Sequence, residues 1–169
     1  PQLLYPTADP AQTPPGLGAG WLIVTEGIAA ADPLGGDAGK LLDNMLKAIG
    51  LTRQQKVYIA NVLKCRPPGN RNPEPAEIAA CAPYLVRQIE LLAPKMILAL
   101  GRFAAQTLLD TEASIGSLRS KVHEYAGVPL VVSYHPAYLL RSPANAARLR
   151  EAIAELDAGG GQVRALIEE

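Results

Sequence analysis

Residues 58–75 read Tyr-Ile-Ala-Asn-Val-Leu-Lys-Cys-Arg-Pro-Pro-Gly-Asn-Arg-Asn-Pro-Glu-Pro, an apolar, β-branched run followed by a polar, broken loop. The run predicts a strand that delivers Asn61 and then Cys65 to its carboxyl end. In open α/β sheets, ligands bind in the loops at the carboxyl ends of strands. This loop carries Arg66 and Arg71 with no acid between them, which suits a phosphate-bearing ligand. A nucleotide or nucleic-acid site and an ordinary proline-stiffened surface loop both fit this composition.

The rest of the chain alternates predicted strands with predicted helices. Apolar runs predict strands over residues 21–24, 57–63, 95–100 and 128–134. Apolar residues at helical spacing predict helices over residues 38–49, 74–92, 102–109 and 145–156. Because the strands are almost continuously apolar, they indicate an α/β fold with a parallel sheet that is covered on both faces.

The totals favour one globular domain. The chain has 169 residues, of which 49% are hydrophobic and 19% charged. Residues 1–20, rich in Pro, Gly, Ala and Thr, are expected to form an irregular arm; residues 21–157 a single domain; and residues 158–169 a short tail. No apolar run approaches the roughly 18 residues that a membrane span needs, and no signal-peptide pattern opens the chain, so we expect a cytoplasmic protein without a membrane partner.

Charge and cysteine content restrict the possible partners. Sixteen basic and sixteen acidic residues give a formal charge of zero, which argues mildly against a non-specific nucleic-acid binder. The run from Lys64 to Arg71 nevertheless holds three basic residues and no acid, so a phosphate contact would be local to one face. Two cysteines make a poor disulfide framework in a cytoplasmic protein, which leaves free thiols or metal ligands.

Four residues are expected at one edge of the predicted sheet. Each follows or ends a different strand; they are Glu26, Asn61, Gly101 and His135. The carboxyl ends of parallel strands meet at the same edge, so the pattern predicts a site there. The other histidine, His123, lies in a polar stretch and is expected to be a surface residue.

Four motifs carry a resemblance to a known family. They are Asn61-Val-Leu-Lys-Cys-Arg-Pro-Pro-Gly-Asn-Arg-Asn-Pro73, Cys81 after fifteen intervening residues, Leu100-Gly-Arg-Phe-Ala104, and Tyr134-His-Pro-Ala-Tyr-Leu-Leu-Arg141. In order and spacing, from about residue 38 to residue 143, they resemble the family 4 uracil-DNA glycosylases, the iron–sulfur members of that superfamily. The resemblance implies a three-layer α/β/α sandwich with a four-stranded parallel sheet. It also implies cleavage of the N-glycosidic bond of uracil in DNA, a step of base-excision repair.

The resemblance further implies roles for individual residues. His135 would donate to uracil O2 and stabilise the leaving anion, and Asn61 would read the uracil edge, since an amide offers both a donor and an acceptor. Glu26 or Asp32 would position water. The other implied contacts are Gly27, Gly101 and Asn70 to the substrate, and Arg66, Arg71, Tyr138 and Arg141 to DNA. None of these residues is an obvious covalent nucleophile, so the mechanism would be dissociative.

The chain departs from the family pattern after its first strand. There the family reads roughly Gly-Glu-(Ala/Gly)-Pro-Gly and continues to Gly-x-Pro-Phe-x-Gly, whereas residues 25–35 read Thr-Glu-Gly-Ile-Ala-Ala-Ala-Asp-Pro-Leu-Gly and the segment is shorter. The phenylalanine that would stack on the flipped uracil is missing, and Phe103 belongs to another motif. Base–aromatic stacking contributes about 1–3 kcal/mol per base, so weaker binding is expected.

The second departure concerns the metal. A cubane cluster needs four ligands, and Cys65 and Cys81 match two of them. The Cys-x-x-Cys pair expected near residues 1–10 is not in that stretch. We therefore expect no cofactor, and a [4Fe–4S] cluster only if the missing ligands come from elsewhere. Two buried free thiols are the alternative.

These observations support a uracil-DNA glycosylase that acts as a monomer on DNA containing uracil. Two alternatives stay open because of the altered segment 25–37. One is a weakened or inactive member of the family that serves as a nucleic-acid-binding or protein-interaction module on the same fold. The other is a glycosylase for a different damaged base.

Overall fold

The computed structural model describes residues 20–27, 34, 36–55, 57–65, 67–141, 143–144 and 147. Their elements, in chain order, are β1 (Trp21–Thr25), α1 (Gly36–Ala48), β2 (Val57–Asn61), α2 (Pro75–Leu92), β3 (Met96–Leu100), α3 (Arg102–Leu109), α4 (Ile115–Leu118), β4 (Val122–Tyr125), β5 (Val128–Ser133) and α5 (Pro136–Arg141), with a 3₁₀ turn over Pro68–Asn70. The predicted tail lies outside the described residues, as do the arm apart from Gly20 and the predicted helix 145–156 apart from residue 147.

The described strands form one sheet in the order β2-β1-β3-β5-β4. β1 pairs in parallel with β2 and β3, and β3 pairs in parallel with β5, which confirms the four predicted parallel strands. β4 is a fifth strand that sequence reasoning missed, and it pairs antiparallel with β5 at the edge of the sheet. It has only four residues with alternating exposure, and Val122 is 73% exposed, so it lacks the apolar run that marks the buried strands.

Helices cover both faces of the sheet, which confirms the three-layer sandwich. Successive side chains of β1 point to opposite faces: Leu22 and Val24 enter one apolar cluster and Ile23 enters the other. The first cluster is closed by α2 and α3 and the second by α1; the main helical contributors are Leu85, Ile89, Leu92, Ala104, Ala105 and Leu108 to the first, and Leu42 and Leu46 to the second. None of the helices in the described ranges is long and apolar enough to cross a membrane.

His123 is not the surface residue that the sequence suggested. It lies on β4, where it is half-buried, and its Nε2 is 2.8 Å from the Leu118 carbonyl oxygen. An alternating edge strand places every second side chain against the protein, and His123 is on that inner side. The residue therefore ties β4 to the end of α4 and lies away from the carboxyl edge of the four parallel strands.

Candidate active site

The four parallel strands end at one edge, and the structure brings the predicted site residues together there. Thr25, the last residue of β1, is in register with Asn61, the last residue of β2. Gly101 follows β3 and His135 follows β5 after one intervening residue. The imidazole of His135 reaches across to β1, where its Nε2 lies 3.0 Å from Thr25 Oγ1. We call this group of residues the carboxyl-edge site.

His135 is held as a neutral ring with a defined tautomer. Its Nδ1 accepts a hydrogen bond from the Ala137 backbone N–H at 3.2 Å, so the proton of the neutral imidazole is on Nε2. Burial lowers the pKa of His135, and the nearby Arg141 guanidinium lowers it further. The side chain therefore presents a neutral N–H donor to the carboxyl-edge site at neutral pH.

Asn61 has an unused acceptor in the same place. The residue is 4% exposed, and its Oδ1 has no hydrogen-bond partner among the described residues. A buried polar atom without a partner costs about 1–3 kcal/mol, so such atoms usually indicate that a ligand completes the bond. An incoming N–H donor would satisfy it.

Two glycines make room for these two side chains. Gly27 has φ +87°, and a Cβ added there would lie 2.8 Å from Asn61 Cβ. Gly101 has φ +92°, and a Cβ added there would lie 3.3 Å from His135 Cβ. Any larger residue would be strained at these backbone angles and would also push against Asn61 or His135. Their predicted place in the substrate site thus has a steric basis.

Glu26 and Asp32 are the two carboxylates predicted to act on water. Glu26 is among the described residues, and Asp32 lies outside them. Glu26 is half-buried after β1. Burial raises the pKa of Glu26, while Arg141 and then Arg102 oppose that rise. A carboxylate in this setting is a stronger base than an exposed one, which suits a residue that orients or deprotonates water.

Lys64 links the end of β2 to α2. This buried side chain donates from Nζ to the Asn61 carbonyl oxygen at 2.6 Å and to Gln88 Oε1 at 2.6 Å. Burial lowers the pKa of Lys64 to about 8, although the neighbouring Cys81 opposes the change. Sequence reasoning grouped Lys64 with the basic residues of the loop. Nothing in a linear sequence distinguishes a buried lysine from an exposed one in such a run.

In the loop after β2, the described arginine, Arg71, is paired with a carboxylate of the same protein. Arg71 donates from Nη1 and Nη2 to the two carboxylate oxygens of Glu77, at 2.9 and 2.8 Å. Glu77 also accepts from the Glu74 backbone N–H at 2.8 Å, which ties the loop to the first turn of α2. Asn70 ends the 3₁₀ turn, and Arg66 lies outside the described residues.

Three exposed arginines lie around the carboxyl-edge site: Arg102 and Arg141 are close to Glu26, and Arg119 packs on Tyr134. We call them the arginine rim. Arg119 lies over the Tyr134 ring at 4.2 Å, and Tyr134 stacks on Tyr138 with 5.1 Å between ring centroids. Across the described chain, no carboxylate lies at ion-pair distance from any rim arginine. Sequence reasoning predicted Arg141 as a DNA contact and did not group it with Arg102 or Arg119, because the three are far apart in the chain.

The two cysteines do not by themselves make a metal site. Both are half-buried free thiols, and Cys81 Sγ accepts from the Lys64 backbone N–H at 3.4 Å. Within the described part of the chain, no group of three or more His, Cys, Asp or Glu residues could hold a metal ion. A [4Fe–4S] cluster needs four ligands, so the residues present do not fit it unless further ligands are supplied.

Comparison with known proteins places this arrangement in context. Residues 25–157 match the family described as the uracil DNA glycosylase superfamily. The type-4 uracil-DNA glycosylase of Archaeoglobus fulgidus is 49% identical over 120 residues, which are 66% of this chain and 60% of that protein. The type-4 enzyme of Pyrobaculum aerophilum is 38% identical over 154 residues, 83% of this chain and 78% of that protein. The type-4 enzyme of Sulfurisphaera tokodaii is 47% identical over 120 residues, 66% and 54% respectively. The matched stretch thus spans less than two thirds of two of these relatives.

Proposed function

The chain belongs to the uracil DNA glycosylase superfamily, with the type-4 enzymes, and we propose that it hydrolyses the N-glycosidic bond of uracil in DNA during base-excision repair. The observation that carries the proposal is the buried Oδ1 of Asn61, which has no partner in the described ranges, at the same edge as the His135 N–H. One group can read a base and the other can stabilise its departure.

Recognition of the base would fall to Asn61. The Watson–Crick edge of uracil offers the N3–H donor beside the O4 acceptor, and an amide offers the complementary pair. The uracil N3–H would satisfy Oδ1, and the amide nitrogen would donate to O4. For this contact the base must leave the DNA stack and enter the site, as happens in other enzymes that act on bases in DNA.

Bond cleavage would rely on charge stabilisation. As the bond between C1′ and N1 breaks, its electron pair stays with the uracil and spreads over N1 and O2. The neutral His135 N–H would donate to O2. A buried donor stabilises the transition state most when it points at the atom on which negative charge develops. Glu26 would orient the water that attacks C1′ and would take its proton; we propose Asp32 as a second candidate for this role. No covalent intermediate with the protein is needed.

DNA binding would involve the arginine rim. The exposed guanidinium groups of the rim have no carboxylate at ion-pair distance among the described residues, so they are available for phosphates. Tyr138, which is 55% exposed, offers a face on which a neighbouring base can stack. Arg66, Arg71 and Asn70 remain predicted contacts of the loop, and Arg71 would have to give up its pairing with Glu77 to make its contact. The cytoplasmic location and the monomeric state also remain predictions from the sequence.

The proposed function is tested with uracil-containing single-stranded and duplex oligonucleotides, followed by alkaline cleavage at abasic sites. We expect the wild-type protein to release uracil and Asn61→Ala to be severely impaired. Asn44→Ala, which alters a half-buried asparagine on α1, is the matched control and should retain activity. Well-folded wild-type protein that leaves uracil in place would contradict the proposal and favour a binding module or another base.

A further inference from the structure

Thr25 lies inside the carboxyl-edge site, although neither the sequence motifs nor the proposed mechanism gives it a role. It is the last residue of β1 and is 2% exposed. Its backbone is in register with Asn61, and its hydroxyl oxygen is 3.0 Å from His135 Nε2. The hydroxyl is therefore next to both residues that the proposed function assigns to the base.

The direction of this hydrogen bond follows from the rest of the ring. Since His135 Nδ1 accepts from the Ala137 N–H, Nε2 carries the proton and the Thr25 oxygen is the acceptor. The hydroxyl proton of Thr25 is then not used in the bond to His135. No acceptor for it appears among the described hydrogen bonds. A buried hydroxyl whose proton lacks an acceptor favours the arrival of a ligand oxygen.

We propose that the Thr25 hydroxyl is a second donor to O2 of the departing base, beside the Nε2–H of His135. This inference rests on the proposed function. On binding, uracil O2 would receive both protons in place of the present contact between the two side chains. When the glycosidic bond breaks and the electron pair moves onto the uracil ring, both donors would stabilise the negative charge on O2. Thr25 is then a catalytic residue that sequence motifs do not reveal.

The test compares two bases and three variants in single-turnover release from single-stranded DNA. Thr25→Val keeps the side-chain shape and removes the hydroxyl, and Thr25→Ser keeps the hydroxyl. Thr107→Val, a conservative change on α3, is the control. 5-Fluorouracil is the second base because its more acidic ring departs more readily and needs less stabilisation.

We expect Thr25→Val to release uracil about 100-fold more slowly, the usual effect of losing one such donor. The loss should be clearly smaller with 5-fluorouracil. Thr25→Ser should recover most of the rate, and Thr107→Val should match the wild type. If Thr25→Val does not fold, Thr25→Ala gives the same comparison between bases.

Three outcomes would overturn the inference while leaving the proposed function intact. They are an equal loss on both bases, a failure of Thr25→Ser to recover activity, and an unchanged or faster rate in Thr25→Val. The first two would mean that Thr25 contributes only to packing. The third would mean that its hydroxyl only occupies the His135 N–H before the base binds. A wild-type protein that releases neither base would overturn the proposed function and this inference together.

Discussion

The carboxyl-edge site and the loop after β2 differ in how much of their bonding capacity is already used. At the edge, Asn61 Oδ1 has no partner among the described residues, and the rim arginines have no carboxylate at ion-pair distance there. In the loop, Lys64 is bound to the Asn61 carbonyl and to Gln88, and Arg71 is bound to Glu77. The Asn61 amide oxygen and the rim guanidinium groups can therefore accept a ligand without breaking a hydrogen bond or ion pair among the described residues, whereas the described cations of the loop cannot.

This difference shows that a run of basic residues in the sequence does not by itself indicate cations that are available to a ligand. Residues that are near each other in the chain lie in the same part of the structure. Whether their side chains are free to bind a ligand depends on the partners that other helices and strands supply. Glu77 and Gln88 of α2 occupy the loop cations, while the cations of the rim come from the start of α3, the residue after α4 and the end of α5. We expect changes at the edge to affect catalysis and DNA binding, and changes in the loop to affect stability.

The largest effect should come from filling the space beside Asn61. In Gly27→Ala the added methyl group would lie 2.8 Å from Asn61 Cβ, so the amide must move. Displacing a recognition group by about 1 Å costs about 100-fold in rate, and we expect a loss of that order in uracil release.

Gly127→Ala is the control for backbone strain. Gly127 has φ +80°, close to that of Gly27, but a Cβ there would have no atom within 4 Å. Gly127→Ala should lose stability through backbone strain alone, Gly27→Ala should lose at least as much, and only Gly27→Ala should lose activity. Equal losses of activity would mean that strain, and not the position of Asn61, controls the rate.

A smaller effect is expected when a rim arginine is compared with the loop arginine. Arg119→Ala should weaken binding to an oligonucleotide without uracil, and it should reduce the slope of log K against log salt by about 0.7 if one phosphate contact to a single strand is lost. Arg71→Ala should leave that slope unchanged, because its guanidinium is paired with Glu77. The reverse result would show that DNA displaces Glu77 and that the loop is the principal contact.

Arg141→Ala should shift the pH dependence of kcat/KM. Arg141 lowers the pKa of both Glu26 and His135, so its removal should raise the pKa of each. The proposed mechanism uses the carboxylate form of Glu26 and the neutral form of His135, and both are lost by protonation as the pH falls. Activity should therefore begin to fall at a higher pH in the variant. Arg87→Ala, on the exposed side of α2, should leave the profile unchanged, and a shift to lower pH in Arg141→Ala would contradict these roles.

The smallest effect concerns the stability of the loop anchor. Because the pKa of Lys64 falls to about 8 in the folded protein, from an ordinary value of 10.5, the unfolded chain binds more protons between those values. The free energy of unfolding should thus gain a positive contribution as the pH rises through that range. Urea unfolding should show this dependence in the wild type and in the exposed control Lys95→Met, but less of it in Lys64→Met. The same slope in all three proteins would exclude Lys64 as the cause.

The sequence predicted the parts of the fold that depend on continuous patterns. Four buried strands have apolar runs, and their order with the helices leaves little choice of architecture. β4 was missed because four alternating residues at an edge resemble a polar turn. Asn61 and His135 could be placed at the carboxyl edge because each ends or follows a strand within a recognisable motif.

Other features of the site depend on partners that are distant in the chain. The Thr25 hydroxyl meets His135 across 110 positions, and a threonine at the end of an apolar strand resembles an ordinary strand former. The pairing of Arg71 with Glu77 depends on the angle at which the loop enters α2. Neither contact has a pattern in the linear sequence.

In the proposed mechanism His135 acts on the departing base and not on the binding of DNA. This role is tested most directly by measuring single-turnover uracil release and DNA affinity on the same His135→Ala protein. We expect a rate at least about 100-fold lower with nearly unchanged affinity, since a transition-state donor is lost. Comparable losses in rate and affinity, or an unchanged rate, would contradict it.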